Sequence, residues 1–232
     1  MIYITGDKHR EFSGVKRFCD QQHTSTDDVL VVLGDAGINY CGEERDRSYK
    51  KYLSKFPITL FCIHGNHEMR PWHVVGMEEV CFHGGIAYQE KDFPNIIYAI
   101  DGQVYDFAGH LCLVAGGAYS VDKYYRLERG WRWFEDEQPS KEIKRDIRFA
   151  VQLCPQIDVV FSHTCPQKFT PVEMFISGVD QSRVDRSTEE FLDEIEEKIA
   201  YKRWFCGHWH TDKTVQNLRF MFNDIIELEE VQ

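Results

Sequence analysis

Five short stretches of this sequence place chemically reactive side chains directly after an apolar run. They are ITGDKH (residues 4–9), VVLGDAG (31–37), TLFCIHGNHE (59–68), VVFSHT (159–164) and WFCGHWH (204–210). Each apolar run is typical of a buried strand, and imidazole, carboxylate or amide groups follow it. Such a ligand set without thiolate suits manganese, iron or zinc rather than a cysteine-rich structural zinc site. The pattern predicts that the five strand ends meet and hold two metal ions.

Two of the stretches contain pairs of potential ligands separated by one residue. Side chains two positions apart in an extended segment point in the same direction. Asp7 and His9 could therefore bind one ion together, and His208 and His210 form a similar pair. For Asp7 and His9 the alternative is an aspartate that turns the chain and a histidine at the surface. Taken alone, that pair favours the turn.

Asp35 and Asn66 also have competing explanations. Each follows a glycine, and Asp or Asn at such a place is common in turns. Asn66 could instead bind a metal through its amide oxygen while His67, the next residue, faces the substrate. The coincidence of the five stretches favours a site, because five of the ten histidines lie at strand ends beside Gly, Asp or Asn. These five are His9, His67, His163, His208 and His210.

Buried strands and amphipathic helices are expected to position these residues. The run 29–33 is apolar throughout, as in a sheet that is covered on both faces, and residues 157–161 are predicted to form a further strand. Ligands at the carboxyl ends of adjacent strands converge in open α/β sheets. Residues 139–153 show the apolar stripe of a helix, with Ser140 as its N-cap. Further helices are predicted at 11–22, 43–56 and 187–199.

Two turns predict hairpins. Asp101-Gly102 stands between the apolar runs 96–100 and 103–107, a typical hairpin signal. Residues 214–229 predict a closing hairpin around Asn223-Asp224.

Two irregular segments are predicted to border the site. Segment 119–138 is rich in aromatic and charged residues and lacks a clean period. It is interpreted as a surface excursion with its own aromatic cluster, or as a loop over the site in which Lys123, Arg126 or Arg129 contacts substrate. Segment 170–187 is a candidate second rim. Both belong to one predicted domain, 1–232, because no linker divides the chain.

Composition narrows the possible functions. The chain has 232 residues, of which 43% are hydrophobic and 28% charged, as in an ordinary globular domain. The formal net charge of −11 argues against binding to long duplex nucleic acid, which needs clustered Lys and Arg. We expect no signal peptide, no membrane span, no disulfide scaffold and a cytoplasmic location. The oligomeric state is left open.

Taken together, the motifs D-x-H, G-D, G-N-H-E, H and G-H-x-H resemble the calcineurin-like metallophosphoesterase superfamily. They are Asp7/His9, Gly34-Asp35, Gly65-Asn66-His67-Glu68, His163 and Gly207-His208/His210, and they span nearly the whole chain. The resemblance implies an α/β fold, a four-layer αββα sandwich in which two packed mixed β-sheets are flanked by helices. It also implies two divalent metal ions, with manganese expected and iron or zinc as alternatives.

By motif position, the resemblance assigns ligands and catalytic groups. The first ion would be held by Asp7, His9, Asp35 and His210. The second ion would be held by Asp35, Asn66, His163 and His208. Asp35 would thus bridge the ions, and a hydroxide between them would attack phosphorus. His67 would be the general acid that protonates the leaving oxygen.

Two departures from the family pattern refine this expectation. Arg10 stands where the family often has glycine after D-x-H, so it would narrow the mouth of the site or reach a phosphate. The second motif continues as GDAGINY instead of G-D-x-V-D-R-G, which disfavours a protein serine/threonine phosphatase. Arg10, Lys123 and Arg126 are the candidate substrate-binding residues.

The predicted function is the hydrolysis of a small phosphorylated substrate, either a phosphate monoester or a diester. The rivals are a nuclease of the same superfamily, a catalytically silent metal-binding scaffold, and a dimetal hydrolase of amides or lactones. The complete ligand set together with His67 favours an enzyme over a scaffold. Asn66 as a ligand favours phosphorus chemistry over amide chemistry. The negative net charge of the chain disfavours the nuclease.

Overall fold

A computed structural model describes residues 1–228, which form thirteen strands and five α-helices. The strands are β1 Ile2–Thr5, β2 Val29–Val32, β3 Thr59–Cys62, β4 Met77–Phe82, β5 Gly85–Glu90, β6 Ile96–Ala99, β7 Val104–Phe107, β8 His110–Ala115, β9 Val159–Ser162, β10 Arg203–Cys206, β11 Lys213–Val215, β12 Leu218–Phe220 and β13 Ile225–Glu227. The helices are α1 Ser13–Gln22, α2 Glu43–Leu53, α3 Lys123–Glu128, α4 Lys141–Leu153 and α5 Ser187–Glu196. The strands divide into two sheets.

The first sheet has the strand order β13-β1-β2-β3-β6-β5-β4. Its central strands β1, β2, β3 and β6 are parallel, and antiparallel strands complete both edges. Successive residues of a strand point to opposite faces. Val31 and Phe61 accordingly face the second sheet, whereas Leu30 and Leu60 face the helices outside. Both faces are covered, which explains why these strands are apolar throughout.

The second sheet has the strand order β11-β12-β10-β9-β8-β7. Strands β8, β9, β10 and β12 are parallel, and β7 and β11 are the antiparallel edges. Val114 and Phe161 point toward the first sheet, whereas Leu113 and Val160 point outward. The same alternation therefore gives this sheet two apolar faces.

Three layers of apolar side chains hold the sheets and helices together. The central layer lies between the two sheets. A second layer includes Val15 of α1 and Leu53 of α2, and it packs outside the first sheet. A third includes Ile147 of α4 and Phe191 of α5, and it packs outside the second sheet. This is the four-layer αββα sandwich expected from the sequence, and that prediction is confirmed.

Helix α4 begins where its sequence predicts. The Ser140 side chain accepts a hydrogen bond of 3.3 Å from the backbone N–H of Ile143, which satisfies one of the free donors of the first turn.

None of the helices in the described part of the chain combines the length and apolar character that a membrane span requires.

The predicted hairpin at Asp101-Gly102 is wrong, because this turn carries the chain from one sheet to the other. Strand β6 before it belongs to the first sheet, and β7 after it belongs to the second. Asp101 is occupied by tertiary contacts: its carboxylate accepts hydrogen bonds from Arg70 at 2.7 Å and from the backbone of Gly116 at 2.6 Å. Gly102 has a φ of 83°, which suits glycine.

The closing hairpin is also misplaced in the sequence prediction. The hairpin joins β11 and β12 and turns at Gln216-Asn217. Asn223-Asp224 instead returns the chain to the first sheet, where β13 pairs with β1. The Asp212 carboxylate holds this return by accepting hydrogen bonds from the backbone N–H groups of 222, 223 and 224. The predicted end of the hairpin at Glu229 lies outside the described residues.

Candidate metal centre

Asp7, His9 and His210 come together at one side of the site. The Asp7 Oδ2 atom lies 3.2 Å from His210 Nε2 and 3.7 Å from His9 Nε2. The two imidazole nitrogens are 2.9 Å apart. Asp7 follows β1, whereas His210 follows β10 of the other sheet. These three side chains could hold a metal ion.

Asn66, His163 and His208 come together on the other side. Asn66 Oδ1 lies 2.8 Å from His163 Nε2 and 3.1 Å from His208 Nδ1. The Nδ1 atom of His163 lies 2.8 Å from the backbone carbonyl of Leu33. Nδ1 must carry the proton to donate that bond, which leaves the Nε2 lone pair free for a ligand.

Asp35 lies between these two groups. Its Oδ2 atom is 3.9 Å from His9 Nε2 and 3.7 Å from His163 Nε2. Its Oδ1 atom accepts a hydrogen bond of 2.7 Å from the backbone N–H of His67. The carboxylate is thus fixed by one oxygen while the other faces both groups.

The backbone holds several of these residues in an unusual conformation. His9, Asp35, His208 and His210 have φ values of 42°, 47°, 64° and 47°, in the left-handed region. This conformation costs about 1–3 kcal/mol at non-glycine residues and concentrates at functional sites. Hydrogen bonds from the His9 backbone to Asp35 O, at 2.7 Å, and from the His208 backbone to Asp7 Oδ1, at 2.8 Å, hold the turns in place.

Two glycines make the close packing of the carboxylates possible. A Cβ atom on Gly65 would lie 2.1 Å from Asp35 Oδ1, and one on Gly207 would lie 2.2 Å from Asp7 Oδ1. Neither distance leaves room for a carbon atom. The glycines of the sequence motifs are therefore required by space at these two positions.

The electrostatics of the site fit bound cations. Burial and the charge of Asp7 raise the pKa of Asp35 well above its usual value. Burial also opposes ionisation of Asp7, but the imidazoles of His210 and His163 outweigh it and hold the pKa of Asp7 below its usual range. Asp7 Oδ2 is buried and has no hydrogen-bond partner among residues 1–228. Two close carboxylates with a free oxygen and converging imidazoles form a donor set suited to divalent metals.

Comparison with known proteins agrees with this arrangement. The sequence model of the calcineurin-like phosphoesterase family matches residues 1–212. The chain belongs to the calcineurin-like phosphoesterase family. This family is one of metal-dependent phosphoesterases, and the chain has candidate ligand groups for such metals.

Solved structures share the fold of this phosphoesterase-family chain. The crystal structure of TT1561 of Thermus thermophilus gives a TM-score of 0.53 at 11% sequence identity, over 95% of this chain and 87% of that one. A second crystal structure gives a TM-score of 0.50 at 13% identity, over 95% and 88% of the respective chains. At these identities the likeness shows the fold alone. No curated protein matches the chain.

His67 lies beside the ligand cluster of this phosphoesterase-family chain without joining either group. Its Nε2 atom is 3.9 Å from Asp35 Oδ2, and its side chain lines the cavity above the cluster. Burial, helped by the charge of Arg126, lowers the pKa of His67 to about 3. The neighbouring Glu68 holds this loop, because its carboxylate accepts hydrogen bonds from the backbone of Gly65 at 3.0 Å and of Gly37 at 3.1 Å.

Arg10 is held on the outer side of the site. Its Nη1 atom donates hydrogen bonds of 2.8 Å to Asp46 of α2 and 2.9 Å to the carbonyl of Gly37. Its guanidinium group also stacks over the Tyr49 ring, 4.1 Å from the centroid. Arg10 is not among the residues that line the cavity.

Lys123 and Arg126 both belong to α3, but they have different surroundings. Lys123 Nζ lies over the Trp133 ring, 3.8 Å from its centroid. Arg126 is buried and its Nη2 atom is 3.4 Å from the Tyr40 hydroxyl, whereas its Nη1 atom has no partner within the described residues. The positive charge of Arg126 acts to lower the pKa of Asp35 and the pKa of His67.

A cavity of about 440 Å³ opens above the cluster. Its floor includes His67 and the candidate ligands His9, Asp35, Asn66, His208 and His210. Segments 119–122 and 170–186 contribute most of the remaining wall. The cavity size is in the usual range for small-molecule sites.

Sequence reasoning missed Ser120 and Glu137. Ser120 Oγ accepts a hydrogen bond from Asn66 Nδ2 and donates one to Glu137. One signal could have found Ser120: it follows β8 and Gly116-Gly117, so it lies after a sixth strand end of the same kind. Glu137 carries no comparable local signal.

Proposed function

We propose that this protein is a metal-dependent hydrolase that cleaves esters of phosphate. The observation that supports it best is the position of Asp35, whose Oδ2 atom lies 3.9 Å from His9 and 3.7 Å from His163 at the floor of an open cavity. One carboxylate facing two groups of nitrogen and oxygen donors suits a pair of ions. The family membership supports the same chemistry.

The proposed metal ligands follow the two groups of donors. One ion would be held by Asp7, His9, Asp35 and His210. The other would be held by Asp35, Asn66, His163 and His208. Manganese is the proposed metal, with iron and zinc as alternatives for this donor set. Two divalent ions there would supply a nucleophile at neutral pH and neutralise charge on the phosphoryl oxygens.

His67 is the proposed general acid for the leaving oxygen. Its pKa of about 3 leaves the imidazole neutral in the free protein. A phosphate group that enters the cavity brings negative charge close to His67, and nearby negative charge raises the pKa of an imidazole. Substrate binding would thus favour the protonated form that a general acid requires.

Arg126 is proposed to stabilise the substrate phosphate through its positive charge and not by direct contact, because it is not among the described residues that line the cavity. It is buried, and its Nη1 atom has no hydrogen-bond partner in the part of the chain that the structure describes. Its charge acts to lower the pKa of Asp35 and of His67, so its electrostatic influence reaches the floor of the cavity where a phosphate would lie. Arg10 and Lys123 are already engaged, by Asp46 and by Trp133 respectively.

The test is hydrolysis of p-nitrophenyl phosphate and bis-p-nitrophenyl phosphate by metal-free protein reloaded with Mn²⁺, Fe²⁺ or Zn²⁺. We expect metal-dependent turnover of at least one ester, and its loss in Asp35→Asn. Asp20→Asn is the matched control, since Asp20 is exposed on α1. Protein that binds metal but turns over neither ester would contradict the proposal and support a non-catalytic scaffold.

A further inference from the structure

One wall of the cavity above the candidate metal cluster is apolar. It is formed by Met174, Phe175, Ile176, Val179, Val184 and Trp209. Met174 and Ile176 are exposed to solvent, at 36% and 61% of their surface. Exposed apolar side chains next to a polar site are a feature of ligand-binding grooves.

Two of the side chains that form this wall, Phe175 and Trp209, are aromatic. The rings of Phe175 and Trp209 have centroids 6.1 Å apart and planes at 33°. Tyr119, from the segment after β8, also lines the cavity. Three aromatic side chains from three separate segments thus border the space beside the proposed ligands. Aromatic rings prefer offset or edge contacts with other rings.

Few charges accompany the apolar wall. Arg186 is the one Lys or Arg among the described residues that line the cavity, and its guanidinium carbon lies 5.8 Å from the Phe175 ring centroid. Asp122 and Glu189 are the acids of the lining outside the metal cluster, and burial raises the pKa of both. A second charged group on a substrate would find little complementary charge away from the floor.

The cavity combines a polar floor at the candidate metal cluster with an apolar wall beside it. From this combination we infer the substrate class, and the inference rests on the proposed function. We propose that the protein acts on phosphate esters of an uncharged alcohol that carries an aromatic ring. The phosphate lies over the cluster, and the ring contacts Phe175 and Trp209. A small polar phosphate ester would leave the apolar wall exposed to water, so it gains less from binding.

The test compares two pairs of molecules that differ only in a ring. 2-Phenylethyl phosphate and ethyl phosphate are both esters of alkyl alcohols, so the comparison is not governed by leaving-group acidity; the methyl diesters of both alcohols are assayed in parallel. Burying one phenyl group is worth roughly 1.5–3 kcal/mol. We therefore expect kcat/KM about 10–100-fold higher for the phenylethyl ester.

Variants test whether the apolar wall causes the preference for the phenylethyl ester. Phe175→Ala should reduce the ratio of the two kcat/KM values about 3–10-fold, in line with the loss of an aromatic contact. Val179→Ala should reduce it in the same direction. Phe149→Ala is the matched control, because Phe149 lies exposed on α4, and it should leave the ratio unchanged. A ratio near one, unaffected by Phe175→Ala, would overturn the inference while hydrolysis itself continues.

Binding provides a readout that does not need turnover. 2-Phenylethylphosphonate and ethylphosphonate lack the ester oxygen, so titration calorimetry on the metal-loaded protein measures binding alone. We expect the phenylethyl compound to bind at least about 10-fold more tightly, and Phe175→Ala to weaken that difference. Equal binding of the two compounds contradicts the aromatic substrate class. If both esters and both p-nitrophenyl compounds remain intact, the proposed function fails, and the phosphonates then decide only whether the cavity prefers a phosphoryl compound that carries an aromatic ring.

Discussion

Ser120 Oγ accepts a hydrogen bond of 2.9 Å from the side-chain amide of Asn66. The same oxygen donates to Glu137 Oε2 at 2.5 Å, and Trp133 Nε1 donates to that carboxylate oxygen at 2.7 Å. These bonds fix which way the Asn66 amide points, and its Oδ1 atom faces His163 and His208 as a result. The segment after β8 is therefore connected to the candidate metal centre.

Ser120→Ala should weaken metal binding without removing any proposed ligand. Loss of an outer hydrogen bond to a metal ligand typically costs 10–100-fold in affinity, so we expect one ion to bind roughly 10-fold more weakly. Calorimetric titration of metal-free protein measures this change. Ser177→Ala, at an exposed position, is the control. Unchanged affinity for both ions would show that Ser120 does not position Asn66.

Asp35→Asn should reduce the content of both metal ions. Asp35 Oδ2 faces both groups of donors, and an amide is a weaker ligand than a carboxylate for a divalent ion. Elemental analysis of the purified variant, beside wild type and Asp20→Asn, measures the stoichiometry. Full occupancy by two ions in Asp35→Asn would be inconsistent with a bridging Asp35.

His67→Ala should lower kcat and leave metal binding nearly unchanged. A lost general acid typically costs roughly 10²–10⁴-fold in rate. Steady-state kinetics and metal analysis on the same preparation separate the two effects. His110→Ala serves as the control, since His110 begins β8 at the end of the strand away from the site. A variant depleted of metal would instead make His67 a ligand.

Gly65→Ala should destabilise the protein, because its Cβ atom would lie 2.1 Å from Asp35 Oδ1. Forcing an atom into a packed site usually costs about 1–3 kcal/mol. Gly14→Ala is the control: a Cβ atom there meets nothing within 4 Å, and alanine is favoured over glycine in a helix by about 0.5–1 kcal/mol. Urea denaturation should therefore show opposite signs for the two variants. Equal stability of Gly65→Ala and wild type would mean that the loop can move away.

Glu68 should make the metal-free protein less stable as the pH rises. Burial and the charge of Asp35 raise the pKa of Glu68 to about 7, from 4.5. Between these values the folded state binds more protons than the unfolded state, so the free energy of unfolding falls as the pH increases and levels off above about 7. The fall attributable to this group is on the order of 3 kcal/mol.

Denaturation with chelator present, from pH 4.5 to 8, measures this dependence. Other groups of the site titrate as well, so the relevant quantity is the difference between wild type and Glu68→Gln. We expect the slope to be shallower in Glu68→Gln and unchanged in Glu44→Gln, an exposed substitution on α2. Identical slopes in wild type and Glu68→Gln would exclude a titrating Glu68.

The sequence predicts the fold class and the clustering of site residues because both depend on local patterns. Buried parallel strands require apolar runs, and the polar groups that follow them have few structural uses. Asp101-Gly102 was misleading for a physical reason: a turn signal shows that the chain bends, but it does not show which sheet receives the next strand. Only tertiary contacts, such as the ion pair of Asp101 with Arg70, settle that choice.

The rest of the site could not be read from the sequence. Glu137 reaches the site through the tertiary path of segment 119–138, and no local motif marks it. Most of the apolar wall comes from segment 170–186, which has no helical or strand period because its two short 3-10 turns, Val172–Met174 and Gln181–Arg183, follow an irregular path. Residues such as Phe175 acquire their place only when this segment packs against the end of β10.

The two sheets contribute different donors to the same few ångströms of space. Asp7, Asp35 and Asn66 follow strands of the first sheet, whereas His163, His208 and His210 follow strands of the second. An ion held by both sets is also a cross-link between the halves of the sandwich. Metal binding would then raise the free energy of unfolding, so the metal-loaded form, which is the form competent for the proposed reaction, would also be the most stable form.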